Sequence, residues 1–116
     1  MIGIDIVKID RISRLVNKFG KRGLEKFLSE DEIKNAKSVE SIAGLWASKE
    51  AFSKALGTGI GKEVSFKDIE ILKDKRGKPY VKVSERLKKD FNIKDVDVSI
   101  SHDGGFVIAA VIILKL

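Results

Sequence analysis

At the head of the chain Ile2, Ile4 and Ile6 alternate with Gly3, Asp5 and Val7, a period of two that predicts a strand with Asp5 on the side opposite the isoleucines. Asp10 is placed to cap a helix in which Ile12, Leu15, Val16 and Phe19 share one face, Arg11, Arg14 and Lys18 line another, and Gly20 is the stop. Ser29-Glu-Asp-Glu32 has the form of a capping box and starts a short helix reaching about Lys37. The next helix, Val39 to Leu56 with Gly57 ending it, is apolar around nearly its whole circumference. Ile42, Leu45, Phe52 and Leu56 cover one side, and Ala43, Ala47, Ala51 and Ala55 form a small-residue side that lets another backbone approach. Such a helix belongs in the middle of a fold.

The second half reads as strands and turns. Phe66 to Leu72 and Pro79 to Val83 form a hairpin across the turn Asp74-Lys-Arg-Gly77. Ser84 caps a short helix to about Phe91, and Val96, Val98 and Ile100 alternate with Asp97, Ser99 and Ser101 in a further strand. His102-Asp-Gly-Gly105 then turns the chain into a last strand, Phe106 to Leu114. No repeat, low-complexity tract or linker interrupts residues 1–116. The expected architecture is therefore α+β in a single domain, an antiparallel sheet packed on a long central helix and joined by the first strand.

Composition narrows the function classes. At 116 residues, 43% hydrophobic and 34% charged, the chain has the balance of a soluble globular protein. The absence of cysteine removes disulfide scaffolds, thiolate metal sites and a cysteine nucleophile, and makes the cytoplasm the expected compartment. Asp5 interrupts the first apolar stretch too early for a secretory signal, and Phe106 to Leu114 is far short of the roughly 20 residues a bilayer-spanning helix needs. A formal charge of +6 suggests a polyanionic partner: nucleic acid, a phosphorylated small molecule or an acidic protein.

Two carboxylates stand where apolar neighbours should exclude them. Glu50 has Ala43, Trp46 and Ala47 at i−7, i−4 and i−3, so it is either held in an i,i+4 pair with Lys54 or faces a cleft as a metal ligand or proton acceptor. Asp5 sits in Ile-Gly-Ile-Asp-Ile-Val, where aspartate has poor strand propensity; it either faces water or uses the room left by Gly3 to meet a second acid. Two carboxylates converging from a strand and a helix suit Mg²⁺, which takes one or two protein carboxylates and completes its octahedron with water and phosphate oxygens. Gly57-Thr-Gly-Ile-Gly61 resembles a phosphate cradle but follows a helix C-terminus, where the dipole disfavours anions; a helix stop is the simpler reading, with a backbone N–H nest as the alternative. His102, the only histidine, carries little by itself.

Taken together, Gly3-Ile-Asp5-Ile-Val7, Trp46-Ala-Ser-Lys49-Glu50-Ala-Phe-Ser-Lys54-Ala-Leu-Gly57-Thr-Gly-Ile60 and Ser99-Ile-Ser-His102 resemble the 4′-phosphopantetheinyl transferases. The short length and Gly77-Lys-Pro-Tyr80 point to their compact holo-acyl-carrier-protein synthase branch. The resemblance runs over essentially the whole chain, and W-x-x-K-E-x-x-x-K is its most specific part. It implies the fold of that family and transfer of the 4′-phosphopantetheine arm from coenzyme A to a serine of apo acyl carrier protein, dependent on Mg²⁺, with release of adenosine 3′,5′-bisphosphate, in fatty acid biosynthesis. Asp5 and Glu50 match the metal carboxylates and, with Lys54, the catalytic set. Lys54 matches the lysine near the coenzyme A phosphates, Gly57, Thr58 and Gly59 match a segment lining the coenzyme A site, and His102 matches a histidine near the nucleotide. The resemblance further implies a homotrimer with active sites between subunits.

The basic stripe Arg11, Arg14, Lys18, Lys21 and Arg22, with no acid between its ends, is the expected docking surface for an acidic carrier protein. The sequence departs from the family twice. Leu45-Trp46 stands where many relatives have Arg-Phe, and Val7 stands where larger relatives have a second acid, leaving two protein carboxylates. No residue is assigned as general base. A small basic nucleic-acid-binding domain is disfavoured by the 7% aromatic content and the lack of a stacking or groove-reading motif. A noncatalytic carrier-binding module leaves Asp5 and Glu50 without a reason.

Overall fold

The computed structural model describes residues 1–116. In chain order the elements are β1 (Ile2–Lys8), α1 (Ile9–Glu25), α2 (Glu30–Asn35), α3 (Val39–Leu56), a 3-10 turn (Phe66–Asp68), β2 (Ile69–Lys73), β3 (Pro79–Val83), α4 (Glu85–Phe91), β4 (Ile93–Asp103) and β5 (Phe106–Lys115). The strands form two antiparallel sheets, β1-β5-β4 and the hairpin β2-β3. The last strand is thus the centre of the larger sheet, with Asp5 opposite Ala109 and Ala109 opposite Ile100.

Helix α3 lies across the inner face of that sheet, and its alanine side makes the contact. Ala43, Ala47 and Ala51 are fully buried, as are Val107, Ala109 and Val111 of β5. Gly3 is where the strand and helix backbones come closest: a Cβ built there stands 2.0 Å from the Ala51 carbonyl oxygen and 2.5 Å from the Ala55 nitrogen. The room that the glycine leaves is filled by the backbone of α3 itself. Gly57 ends α3 in the left-handed conformation at φ 82°, as expected of a C′ glycine.

Capping chemistry fixes the shorter elements. Glu32 N–H donates to Ser29 Oγ and Ser29 N–H to Glu32 Oε1, the reciprocal pair of a capping box, and Ser84 Oγ accepts from Leu87 N–H at the head of α4. Two expectations are corrected and one is extended. Asp10 does not cap α1: the cap position is Lys8, Asp10 lies in the first turn, and Ile9 N–H is anchored on the Gly105 carbonyl at 2.9 Å. Gly20 (φ 57°, ψ −144°) stops the first helical segment as expected, but a second segment follows the kink directly and carries α1 to Glu25. Phe66 is not in a strand, because Asp68 accepts from Ser65 N–H and Oγ and winds Phe66–Asp68 into a 3-10 turn that aims Phe66 at Phe27 and Trp46.

The outer face of the sheet inverts the usual pattern. Ile2, Ile4 and Ile6 are 65%, 52% and 60% exposed, and Phe106, Ile108, Ile112 and Leu114 of the paired strand lie exposed beside them. Gly3, Asp5 and Val7 turn inward. Replacing Gly3 with alanine forces a methyl into backbone atoms that cannot yield like a side chain. We expect Gly3→Ala to cost about 3 kcal/mol, read as a lower urea midpoint at unchanged slope. A cost under about 0.5 kcal/mol would show that strand and helix separate easily.

Candidate functional site

Asp5 and Glu50 reach the same place from different elements. Asp5 hangs from β1 on the face covered by α3, with its side chain 13% exposed, and Lys54 Nζ donates to its Oδ1 at 2.8 Å. Glu50 lies one helical turn before Lys54, half-buried at the edge of the apolar core. Burial raises the Glu50 pKa above the ordinary carboxylate value, and the neighbouring Asp5 charge raises it further, with Lys54 and Arg11 partly offsetting both. Asp5, Glu50 and Lys54 therefore form one cluster. Lys54 pairs across to the strand, so the simple i,i+4 pair with Glu50 is not what holds it.

Lys54 is bonded to Asp5 and not to Glu50, so the Glu50 carboxylate has no ion-pair partner of its own and feels Lys54 and Arg11 only through space. No third acidic or histidine side chain completes a metal-binding group around the two acids. That donor set, two hard oxygen ligands with an open side, fits Mg²⁺, for which one or two protein carboxylates suffice.

The other expected residues lie elsewhere on the chain. Gly57, Thr58 and Gly59 follow Glu50 along α3, but their N–H groups are spent on its C-terminus: Gly57 N–H donates to the Lys54 carbonyl, and those of Thr58 and Gly59 to the Ser53 carbonyl. Thr58 Oγ1 donates to the Gly59 carbonyl. The helix-stop reading holds, and these three donors form no phosphate nest.

His102, on β4 opposite Val107 of β5, lies two strands across and two residues along from Asp5, roughly 12 Å in the sheet plane. It lines a cleft of about 320 Å³ with Glu40, Gly44, Lys73 and Pro79, at the opposite end of α3 from the acid pair. Within one chain the structure brings Asp5, Glu50 and Lys54 together and keeps His102 apart. A larger cleft of about 750 Å³ lies against α2, with Lys21, Lys34 and Lys67 facing Glu25, Glu30 and Glu70; its mixed charge gives it no clear preference for an anion.

The basic stripe is less uniform than its sequence. Arg14 is paired with Asp10 at 2.8 Å, the Arg11 guanidinium lies 5.5 Å from the centre of the Trp46 ring, and Lys21 and Arg22 follow the break at Gly20. Phe19 is 51% exposed rather than in the core, with Lys18 and Lys26 beside its ring.

Sequence reasoning missed the most buried charges. Lys49 Nζ donates to Glu32 Oε1 and the Phe27 carbonyl at 2.7 Å each and to the Phe66 carbonyl at 3.2 Å, while Glu32 Oε2 accepts from Ile71 N–H. Burial pushes the Lys49 pKa down, and the Glu32 carboxylate opposes that shift. The available signal was Lys49 itself, a cation with Leu45, Phe52 and Ser53 as helical neighbours.

A family model described as the 4′-phosphopantetheinyl transferase superfamily matches residues 1–111, and the chain belongs to that superfamily. Among curated relatives, the holo-[acyl-carrier-protein] synthase of Nautilia profundicola is 64% identical over 115 residues, covering 99% of this chain and 100% of the relative. The synthase of Campylobacter fetus is 58% identical over 97% of this chain and 98% of its own. The crystal structure of the Helicobacter pylori synthase in complex with coenzyme A superposes with a TM-score of 0.95 at 50% identity, covering 98% of this chain and 100% of that one. The Bacillus anthracis synthase, in complex with CoA (3′,5′-ADP), gives 0.83 at 43% identity, over 99% and 96% of the two chains. The α+β fold read from the sequence is the fold of these proteins.

The raised Glu50 pKa has a stability consequence whose sign is fixed. A carboxyl whose folded pKa lies above its unfolded value disfavours the folded state at neutral pH, and the penalty is relieved as pH falls through the folded pKa. In protein stripped of divalent metal, Glu50→Gln should raise Tm at pH 7.5, with the gain shrinking as pH falls through the raised Glu50 pKa. A destabilised variant at pH 7.5 would mean that the acid is well compensated in the free protein.

Proposed function

We propose that this chain transfers the 4′-phosphopantetheine arm of coenzyme A to a serine hydroxyl of an apo acyl carrier protein. The observation that carries the reading is the meeting of Asp5, Glu50 and Lys54 at one place, joined with the family assignment. In the reaction the serine oxygen forms a bond to the phosphorus bearing the pantetheine arm. The bond from that phosphorus to the bridging pyrophosphate oxygen breaks, adenosine 3′,5′-bisphosphate leaves, and the serine proton is lost to solvent.

Asp5 and Glu50 would hold Mg²⁺, which supplies charge neutralisation on pyrophosphate oxygens. Lys54, 52% exposed and already reaching across to Asp5, is placed to put its ammonium against the same phosphates. Glu50 has to be ionised to serve a metal, so its pKa, raised by burial and then by Asp5, makes protons compete with the cation as pH falls, while a bound cation would offset the repulsion between the two acids. Val7 points into the core and adds no oxygen. Lys18, Lys21 and Arg22, exposed and free of ion pairs, join Arg11 and Arg14 as the surface offered to an acidic carrier.

The outward apolar face supports a homotrimer. Seven large apolar side chains on β1 and β5 lie exposed side by side, a patch of the kind that marks a protein interface. Assembly would let the His102 cleft of one subunit complete the acid site of another, which the separation of the two within one chain requires if both serve one coenzyme A. The Gly57–Gly59 segment would line that site by shape. No helix is long and apolar enough to cross a membrane, and we place the enzyme in the cytoplasm, serving fatty acid biosynthesis. A nucleic-acid-binding or noncatalytic carrier-binding role leaves the inward acid pair unused.

Incubation with coenzyme A, Mg²⁺ and apo acyl carrier protein should raise the carrier's mass by one phosphopantetheine arm, and an unchanged mass refutes the transfer. Glu50→Gln should lower the rate on the order of 100-fold or more while keeping the fold; near-normal turnover would remove Glu50 from the site. For the assembly, Ile6→Glu should convert the trimer to monomer by sedimentation and abolish transfer. A variant still trimeric would place the interface elsewhere.

A further inference from the structure

The five basic residues of the stripe are not equivalent, and one is singled out by what it touches. Arg14 is neutralised by Asp10, Lys18 sits 5.3 Å from the Phe19 ring, and Lys21 and Arg22 lie beyond the break in α1. Of the four that form no ion pair, Arg11 alone lies over an indole and is near enough to Glu50 for its charge to act on that acid. The indole is Trp46, four residues before Glu50 and so on the same face of α3.

Trp46 is a fixed platform. Its ring meets Phe27 edge-on at 5.0 Å and Phe66 at 5.3 Å, and the carbonyls of those two residues are both tied to the buried ammonium of Lys49. A guanidinium held by its face against an aromatic ring keeps its N–H edges free, and those edges match a carboxylate in two parallel hydrogen bonds. Arg11 therefore lies over the ring with no ion-pair partner, beside the acid site.

We infer that Trp46 is a positioning residue: its ring holds the Arg11 guanidinium beside the Asp5–Glu50 site, so that an acidic group of the carrier protein is received next to the reacting centre rather than anywhere along the basic helix. This rests on the transfer reading above. It assigns to Trp46 a part in carrier recognition distinct from its packing against Phe27 and Phe66. The remaining basic residues then act through long-range attraction, and Arg11 sets the register of docking.

The test is a double-mutant cycle on the KM for apo carrier with Trp46→Leu, Arg11→Gln and their combination. Trp46→Leu should raise that KM roughly 3- to 10-fold, with the KM for coenzyme A changing less than twofold and Trp46→Phe restoring most of the loss. In the Arg11→Gln background, Trp46→Leu should add less than twofold. An equal rise in both KM values, or the same factor in both backgrounds, would show that Trp46 acts only by packing and would overturn the inference.

Because Trp46 is the only tryptophan, a second readout survives if Trp46→Leu fails to fold. Titrating the intact protein with a tryptophan-free apo carrier, without coenzyme A, should shift Trp46 emission saturably, and Arg11→Gln should lose most of that amplitude at saturation. A flat titration, or a full-amplitude shift in Arg11→Gln, would overturn the inference whether or not the enzyme turns over. Failure of the wild type to modify the carrier despite the expected emission pattern would instead remove the transfer reading and leave the docking contact standing.

Discussion

The close approach of β1 to α3 at Gly3 governs the site. The strand and helix can lie this near only because one contributes a glycine and the other a row of alanines, with a would-be Cβ falling on the Ala51 carbonyl. Asp5 is two residues along the strand from that contact, on the same face, and Glu50 is the residue immediately before Ala51. The distance between the two carboxylates is therefore set by backbone packing and not by flexible side chains. Cores transmit such constraints because they are packed at crystal density and cannot absorb a methyl by small adjustments.

A second contact fixes α3 from its other flank. Lys49 and Glu32 are a fully buried ion pair, and the desolvation of two charges is repaid only when the remaining hydrogen-bonding capacity is also met. Here it is: the ammonium reaches two carbonyls besides Glu32, and the carboxylate accepts from Ser29 N–H and Ile71 N–H. The network joins α2, α3 and β2 through directional bonds, where apolar packing alone would permit the helix to turn about its axis. A helix rotated by one residue would swing Glu50 through about 100° and out of reach of Asp5. Lys49 and Glu50, adjacent in sequence, thus divide the work between holding the helix and serving the site.

Much of this was legible from residue patterns. The bounds of α3, the Ser29–Glu32 capping box, the Ser84 cap and the β2-β3 hairpin all follow from local chemistry, and local chemistry is what a sequence displays directly. The two acids were legible as anomalies, a carboxylate on an apolar arc and another in a strand. What remained hidden depends on partners distant in the chain. Glu32 looked like half of a capping box and turned out to hold Lys49 as well, and Phe66 continued an apparent strand until Ser65 and Asp68 wound it into a turn toward Trp46. The spread of the basic stripe was legible, but the pairing of Arg14 with Asp10 and the placing of Arg11 over the Trp46 ring were not.

The first strand shows why one sequence pattern carries two opposite readings. In Ile-Gly-Ile-Asp-Ile-Val the isoleucines look like a core face and the glycine and aspartate like a solvent face, yet the structure reverses them. An inward face made of Gly3, Asp5 and Val7 is acceptable because each has its own counterpart: a helix backbone for the glycine, a lysine for the aspartate, apolar contact for the valine. The outward isoleucines have no counterpart within the chain, and the apolar side chains of β5 continue them, whereas β4 turns Asp97, Ser99 and Ser101 to the same outer side. The boundary between apolar and polar therefore runs between β5 and β4. A strand that carries its acid inward on one face and a row of isoleucines outward on the other does not sort polar from apolar by burial, so its alternation gives the period of the strand without saying which face is the core.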